Sequence, residues 1–273
     1  MKTTAFFLSD RTGITVETLG HTLISHFDTM EFTQIQRPYL HSPKEVAKVA
    51  KEIENISKNS SLPVLVFSSL VSAESRALLQ NCNCVLFDIY NMFIEPMEKS
   101  LKIESSHQAG LSHAMGTFDN YKHRIDALNF TLENDDGENS NNYQMADVII
   151  IGVSRTGKTP TSLYLALNYE IRTANYPLIT EDLSSEKLPA ILTKFQDKLF
   201  GLTINPVRLH HIRQERRANS KYSELSQCQY EIRTAEVLYK KYNIPFMDTS
   251  TMSIEEIATS ILHSKKIQRQ RDE

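Results

Sequence analysis

Apolar residues fall into two alternating rhythms along this chain. Short, nearly continuous apolar runs recur in the N-terminal third at "TAFFLS", "TQIQRPYL", "LPVLVFS" and "CVLFDIY". Between them, "ITVETLGHTLISHF", "SPKEVAKVAKEIENISK" and "SAESRALLQN" set apolar residues three and four apart, as a helix with one buried face requires. Strands that alternate with helices predict a mostly parallel sheet with helices on its faces, because parallel neighbours need a long crossover. The same rhythm restarts at Ala146 with "ADVIII" and continues through "YPLI", "KLFGLTI" and "IPFMD". Helical patterns fill these gaps too, in "TSLYLALNY", "RLHHIRQERR", "SELSQCQYEIRTAEVLYKKY" and "SIEEIATSILHSKKIQ". Ser253 and Glu256 stand at capping-box spacing and predict where the last helix starts.

The expected fold class is therefore α/β, in two parts. Residues 1–104 form an N-terminal, mostly parallel α/β domain, and residues 146–273 form a P-loop, kinase-like α/β domain. Residues 105–145 read as a connector holding His107, His113 and His123, a helix over "DNYKHRIDALNFTLEN", and the polar run "DDGENSNNYQ", an exposed loop or boundary. A length of 273 residues is enough for two domains of ordinary size.

Composition narrows the function classes. Hydrophobic residues make up 40% and charged residues 23%, with few Gly and Pro, a globular profile. The 33 acids against 30 bases leave a formal charge of -3, so no global field draws the chain onto nucleic acid or anionic lipid. No apolar run approaches the roughly 20 residues of a membrane span, and "MKTTAFFLSD" lacks a signal-peptide core. Cys82, Cys84 and Cys228 show no disulfide framework and suit a reducing compartment, so a cytoplasmic location is expected. The "CNC" pair has no nearby Cys or His to complete a metal site and reads as ordinary residues at a strand start.

The most informative stretch is "GVSRTGKTPTSLYLA". Gly152, Gly157, Lys158 and Thr159 stand at GxxxxGK[ST] spacing directly after an apolar strand and before a helix. The glycines let the backbone approach phosphate, the amides of Gly152, Val153, Ser154, Arg155, Thr156, Gly157, Lys158 and Thr159 can cradle it, Lys158 can reach its terminal oxygens, and the Thr159 hydroxyl can hold Mg²⁺. Pro160 is tolerated in the first helical turn. The alternative is a chance match in an ordinary strand-turn-helix corner. Arg155 is either solvated or a further phosphate ligand. Lys158 is expected in a solvent-accessible loop.

An acid at the end of a second strand should support the metal. "KLFGLTI" has none and runs into Asn205 and Pro206, while "IPFMD" offers Asp248. Asp135 and Asp136 in "ENDDG" are the nearest paired acids, either a solvated turn or a metal-supporting and general-base pair. "FFLSDRTG" sets Ser9, Asp10, Thr12 and Gly13 where open α/β sheets bind ligands, or Asp10 is only a helix cap. The candidate catalytic residues are Lys158, Asp135, Asp136 and Asp10. Arg208, Arg213, Arg216 and Arg217 form either a solvated helix face or a docking surface for phosphate or an acidic partner.

Six stretches, taken in order, resemble one known family: "SDRTGITVETLGH", "YKHRIDALNFTLENDDG", "GVSRTGKTPTSLYLA", "ANYPLI", "KLFGLTINPVRLHHIRQERR" and "SIEEIA". It is the bacterial and plant family of pyruvate, phosphate/water dikinase regulatory proteins. Gly157 before the lysine resembles the synthase branch; the dikinase branch more typically has Ser there. The resemblance implies a bifunctional enzyme. One activity uses ADP to phosphorylate a threonine of phosphoenolpyruvate synthase and inactivate it, when the neighbouring catalytic histidine carries phosphate. The other removes the group with inorganic phosphate and releases pyrophosphate. The family's nucleotide-binding positions carry over to Gly152 through Thr159. Spacing alone does not choose ADP over ATP, and a small-molecule kinase or a nucleotide-dependent switch carries the same loop. Oligomeric state, a homodimer included, is left open.

Overall fold

The structure, a computed structural model, describes residues 1–106 and 118–267. His107 and His113 lie outside the described residues. The chain divides into two compact units, Met1–Met115 and Gly116–Glu273.

The first unit carries strands β1 (Lys2–Leu8), β2 (Glu31–Arg37), β3 (Leu65–Ser68) and β4 (Val85–Asp88) in the order β2-β1-β3-β4. Every pairing is parallel. Helices α1 (Ile14–Ile24), α2 (Pro43–Lys58) and α3 (Ala73–Gln80) make the crossovers, and α4 (Glu95–Leu101) follows a π-helical turn at Tyr90–Ile94. Strand β1 shows why its sequence is apolar throughout. Phe6 and Leu8 enter one core with Val46, Val49 and Val66, while Ala5 and Phe7 enter another with Val16 and Phe67. A strand covered on both faces has no polar side to alternate with. Strand β2 ends at Arg37, earlier than the run "TQIQRPYL" suggests, because Pro38 has no N–H to continue the ladder.

The second unit repeats this winding with an unrelated sequence. Strands β5 (Val148–Gly152), β6 (Thr173–Pro177), β7 (Leu199–Thr203) and β8 (Phe246–Asp248) lie in the order β6-β5-β7-β8, again all parallel. Helix α5 (Phe118–Glu133) precedes this sheet; α6 (Lys158–Tyr169), α7 (Thr180–Ser185), α8 (Ala190–Thr193), α9 (Pro206–Arg216), α10 (Leu225–Lys241) and α11 (Ile254–Lys265) surround it. Ile149 and Ile151 pack against Ile232, Ala235 and Leu238 of α10, whereas Val148 and Ile150 pack against Leu165 of α6 and Ile257 and Ile261 of α11. The Ser253–Glu256 capping box forms in full, with side-chain and backbone bonds in both directions.

The segment read as a connector packs into this second unit. Helix α5 lies against α6 and β6, with Ala127 and Thr131 buried. The polar run is largely exposed, but it winds into 3-10 turns at Asp135–Gly137 and Ser140–Met145, and Tyr143 drives into the core with its hydroxyl donating to the Asn175 carbonyl at 3.2 Å. One aromatic ring supplies enough apolar area to fix a segment that its polar neighbours alone would leave in solvent.

Candidate active site

Strands β5 and β7 are neighbours whose crossovers leave in opposite directions, and ligands bind open α/β sheets at the carboxyl ends of such a pair. The loop from Gly152 to Lys158 occupies this position. Its backbone needs its glycines for different reasons. At Gly152 a Cβ would lie 2.8 Å from the Leu202 carbonyl oxygen and 2.8 Å from Thr156 Oγ1, so β7 leaves no room for a side chain. Gly157 has open space around it but a φ of +93°, the left-handed region that glycine enters freely. Standing at the N-cap of α6 without a side chain, it leaves the first amides of that helix uncapped. They point where an anion is favoured by the helix dipole.

Carbonyls of the loop are tied away from this mouth. The Val153 carbonyl accepts from Thr156 Oγ1 at 3.0 Å and from Lys158 Nζ at 3.1 Å. The Thr156 carbonyl accepts from the buried Thr249 hydroxyl at 3.2 Å. Carbonyl oxygens held in this way cannot turn toward a phosphate and repel it.

Lys158 is 5% exposed, not the solvent-accessible loop residue its motif suggests. Desolvation lowers its pKa from 10.5 to about 8, against the opposing pull of Asp136 and Asp135. Asp135 accepts from Thr159 Oγ1 at 3.0 Å through Oδ1, and the same oxygen accepts from Asn175 Nδ2. Asn175 Oδ1 in turn accepts from the Asp136 amide at 3.0 Å, which holds Asp136 at a left-handed φ of 48°. The paired acids therefore sit beside the loop rather than in a free turn. Asp248, the other acid considered, is exposed at the end of β8 and accepts from the amide and hydroxyl of Ser250.

A cavity of ≈ 530 Å³ opens over the loop, lined by Asp136, Arg155, Lys158, Thr159, Ile212 and Arg216 among others. A larger one, ≈ 700 Å³, lies at the opposite, amino-terminal edge of the same sheet, around Asp147, Arg172 and Lys198. It holds none of the loop residues. The loop residues line the smaller cavity.

The residues present fit a nucleoside phosphate with Mg²⁺. Mg²⁺ binds through one or two carboxylates with phosphate oxygens and water, and the Thr159 hydroxyl beside Asp135 offers such a start. Among the described residues no group of three or more His, Cys, Asp or Glu could hold a metal without that phosphate. Cys82 and Cys84 are half-buried, with burial pushing both thiols up, Cys84 to about 11, the mark of unreactive packing residues.

One expectation of the basic run needs correction. Arg213 is fully buried and so cannot serve a docking surface; Arg216 and Arg217 of the same basic run are exposed. Asp10, in the first unit, accepts from the Val71 amide at 3.1 Å, which ties the β1 corner to the chain after β3. Ser9, Asp10, Thr12 and Gly13 line a cavity of ≈ 260 Å³ in that unit. Thr249 and Tyr222, whose hydroxyl lies 2.9 Å from Ser154 Oγ, support the loop, and Asn175 holds the paired acids; none of the three carries a motif that marks it in the sequence.

No helix among the described residues is long and apolar enough to cross a membrane. Comparison with known proteins places this chain in a family. A protein of Alcanivorax borkumensis is 45% identical over 269 residues, covering 98% of this chain and 99% of its own. Proteins of Ectopseudomonas mendocina and Pseudomonas aeruginosa are each 44% identical over 269 residues, with 98% of this chain covered and 99% and 98% of theirs. All three carry the provisional name phosphoenolpyruvate synthase regulatory protein. Residues 5–262 match the kinase/pyrophosphorylase family, and with nearly the whole chain covered, this protein is a member of it.

Proposed function

We propose that this protein regulates phosphoenolpyruvate synthase by moving a phosphoryl group on and off a threonine of that enzyme, in the cytoplasm. In the forward direction the β-phosphate of ADP is transferred: the bond from phosphorus to the threonine oxygen forms, the bond to the α-phosphate oxygen breaks, and AMP leaves. In the reverse direction inorganic phosphate attacks the phosphothreonine, the threonine oxygen leaves, and pyrophosphate is released. Phosphoryl transfer rests mainly on positioning and charge stabilisation, so one cradle can hold the β-phosphate or the attacking phosphate.

The observation that carries this reading is the meeting of Lys158, Thr159 and Asp136 in the lining of one cavity at the helix start, with Asp135 hydrogen-bonded to Thr159. The amides of Gly152 through Thr159 hold the anion, and Lys158 places positive charge on the group in motion. Asp135 and Thr159 would hold Mg²⁺, which would supply positive charge to offset that of the phosphates. Asp136 accepts the proton of the threonine hydroxyl and returns it in the reverse reaction. Arg155 borders the cradle as a further phosphate partner, and Arg216 and Arg217 give a cationic approach for the synthase. Asp10 has no step in this scheme.

The test is incubation with labelled ADP and the phosphohistidine form of the synthase, followed by peptide mapping. Label on a synthase threonine, removed by inorganic phosphate as pyrophosphate, is the expected result. Transfer to small metabolites with an unlabelled synthase would instead identify a small-molecule kinase.

A further inference from the structure

A buried guanidinium lies behind the loop. Arg213 Nη2 donates to the Ser154 carbonyl at 3.1 Å and to Glu231 Oε2 at 2.6 Å, and Nη1 donates to the Tyr222 carbonyl at 3.0 Å. Its carbon lies 4.2 Å from the centre of the Tyr222 ring, whose hydroxyl meets the Ser154 side chain. Glu231 Oε1 accepts from Gln227 Nε2 at 2.9 Å, so α10 fixes the carboxylate that fixes the arginine. Both atoms of Ser154 that can rotate toward the cradle, its carbonyl oxygen and its hydroxyl, are thus held from behind.

A buried ion pair is weak evidence of stability, since burying both charges offsets much of their attraction. Its geometric consequence is more specific. The carbonyls of Val153, Ser154 and Thr156 are all bonded, and it is Arg213 that occupies the Ser154 oxygen.

We propose that Arg213 is a positioning residue that keeps the empty loop in its anion-binding conformation, with Glu231 and Tyr222 holding the guanidinium in place. The proposal rests on the reading of Gly152 through Thr159 as a phosphate cradle. A loop without this brace spends part of its time in conformations that cannot bind, and apparent affinity falls by that fraction while the bound complex remains the same. Loss of the brace should therefore weaken ADP and inorganic phosphate by one common factor and leave turnover at saturation nearly unchanged.

The experiment uses the full chain with Arg213→Met and Glu231→Gln combined, which removes both buried charges together and leaves neither unpaired. Arg213→Lys, which keeps a cation opposite Glu231 but has no planar fork to reach two carbonyls and a carboxylate, is the second variant. ADP and phosphate affinities are measured by calorimetry, and amide hydrogen exchange of residues 153–157 is followed in nucleotide-free protein. About tenfold weaker binding of both ligands in the double variant, a smaller loss in Arg213→Lys, faster exchange confined to the loop and turnover at saturation within about twofold of the parent are expected. Unchanged affinity and unchanged loop exchange in folded variants overturn the proposal, as does a drop in saturated turnover without a change in affinity. A parent protein that binds neither ligand overturns the cradle reading itself, a result distinct from a parent that binds and variants that bind equally well.

Discussion

Thr159 Oγ1 and Asp135 Oδ1 are joined by a 3.0 Å hydrogen bond although they come from opposite sides of β5, the strand that feeds the loop. The acid that supports a metal in this class of site ordinarily ends a neighbouring strand. In the proposed site a turn before β5 would supply it instead. Asp135→Asn removes the charge and keeps the shape, so folding should survive while both phosphoryl transfers fall by about 10²-fold or more, the range seen when one charge-stabilising group is lost. Turnover in both directions across a Mg²⁺ titration checks this. An Asp135→Asn protein with parental rates at ordinary Mg²⁺ would remove Asp135 from the metal site.

Burial of Lys158 changes what its removal should do. A cation whose pKa is depressed from 10.5 to about 8 is destabilising in the ligand-free fold. Lys158→Met removes that charge and keeps the aliphatic stem, so it should stabilise the ligand-free protein by on the order of 1 to 3 kcal/mol at pH 7 while both activities fall together. The sign with pH follows. Between about 8 and 10.5 the unfolded parent binds the proton that the folded parent has lost, so parental stability rises with pH through this window. The gap between variant and parent should be constant below pH 8 and close above it. Denaturant unfolding at pH 7, 8 and 9.5 measures it, and a Lys158→Met protein less stable than the parent at pH 7 contradicts the assignment.

The same lysine makes ligand affinity pH-dependent. A bound phosphate favours the ammonium form, so above about pH 8 binding must first recover a proton. ADP affinity should fall above pH 8, by at most about tenfold per pH increment, and the fall should vanish in Lys158→Met. Calorimetry in buffers of different ionisation enthalpy would detect the proton uptake directly.

The loop was legible in the sequence because its chemistry is local: a strand, two glycines at fixed positions, a lysine and a hydroxyl within eight residues. The sheets were legible for a similar reason, since strands covered on both faces become unbroken apolar runs. What is not local was left open or misread. Asp135 looks like any Asp-Gly turn until Asn175 and Thr159 meet it from other elements. Tyr143 disappears among polar neighbours, and the burial of Lys158 depends on surroundings that no motif contains. Arg213 was detectable in principle. It stands four residues after Leu209, on the buried stripe of α9, whereas its exposed neighbours Arg216 and Arg217 do not share that burial. Counting arginines hid the difference.

The two glycines of the loop should respond differently to alanine. Gly152→Ala drives a Cβ against the Leu202 carbonyl, and backbone of a central strand cannot move cheaply, so a loss of about 3 kcal/mol is expected, at the upper end of overpacking. Gly157→Ala meets nothing within 4 Å and bears only the left-handed backbone penalty, about 1 kcal/mol. Denaturant midpoints of the two variants decide the matter, and equal losses would show that packing at Gly152 had been misjudged.

Asn175 separates positioning of the acids from their chemistry. It is wholly buried, donates to Asp135 and accepts from the Asp136 amide, so one side chain aims one carboxylate at Thr159 and holds the strained backbone of the next. Its side chain bonds neither Lys158 nor the loop backbone. Asn175→Ala leaves the Asp136 amide without its acceptor and should lower stability by about 1 to 3 kcal/mol. Asp135 then loses its fixed direction but not its charge, so a metal bound through it should remain accessible at higher concentration. The expected signature is a raised Mg²⁺ requirement in both directions, with turnover recovering toward the parental value when Mg²⁺ is saturating, whereas Asp135→Asn should not recover at any concentration. Parallel Mg²⁺ titrations of the two variants below their unfolding temperatures provide the measurement. Failure of Asn175→Ala to recover would mean that the turn does more than aim Asp135, and that the geometry of Asp136 is itself limiting for proton transfer.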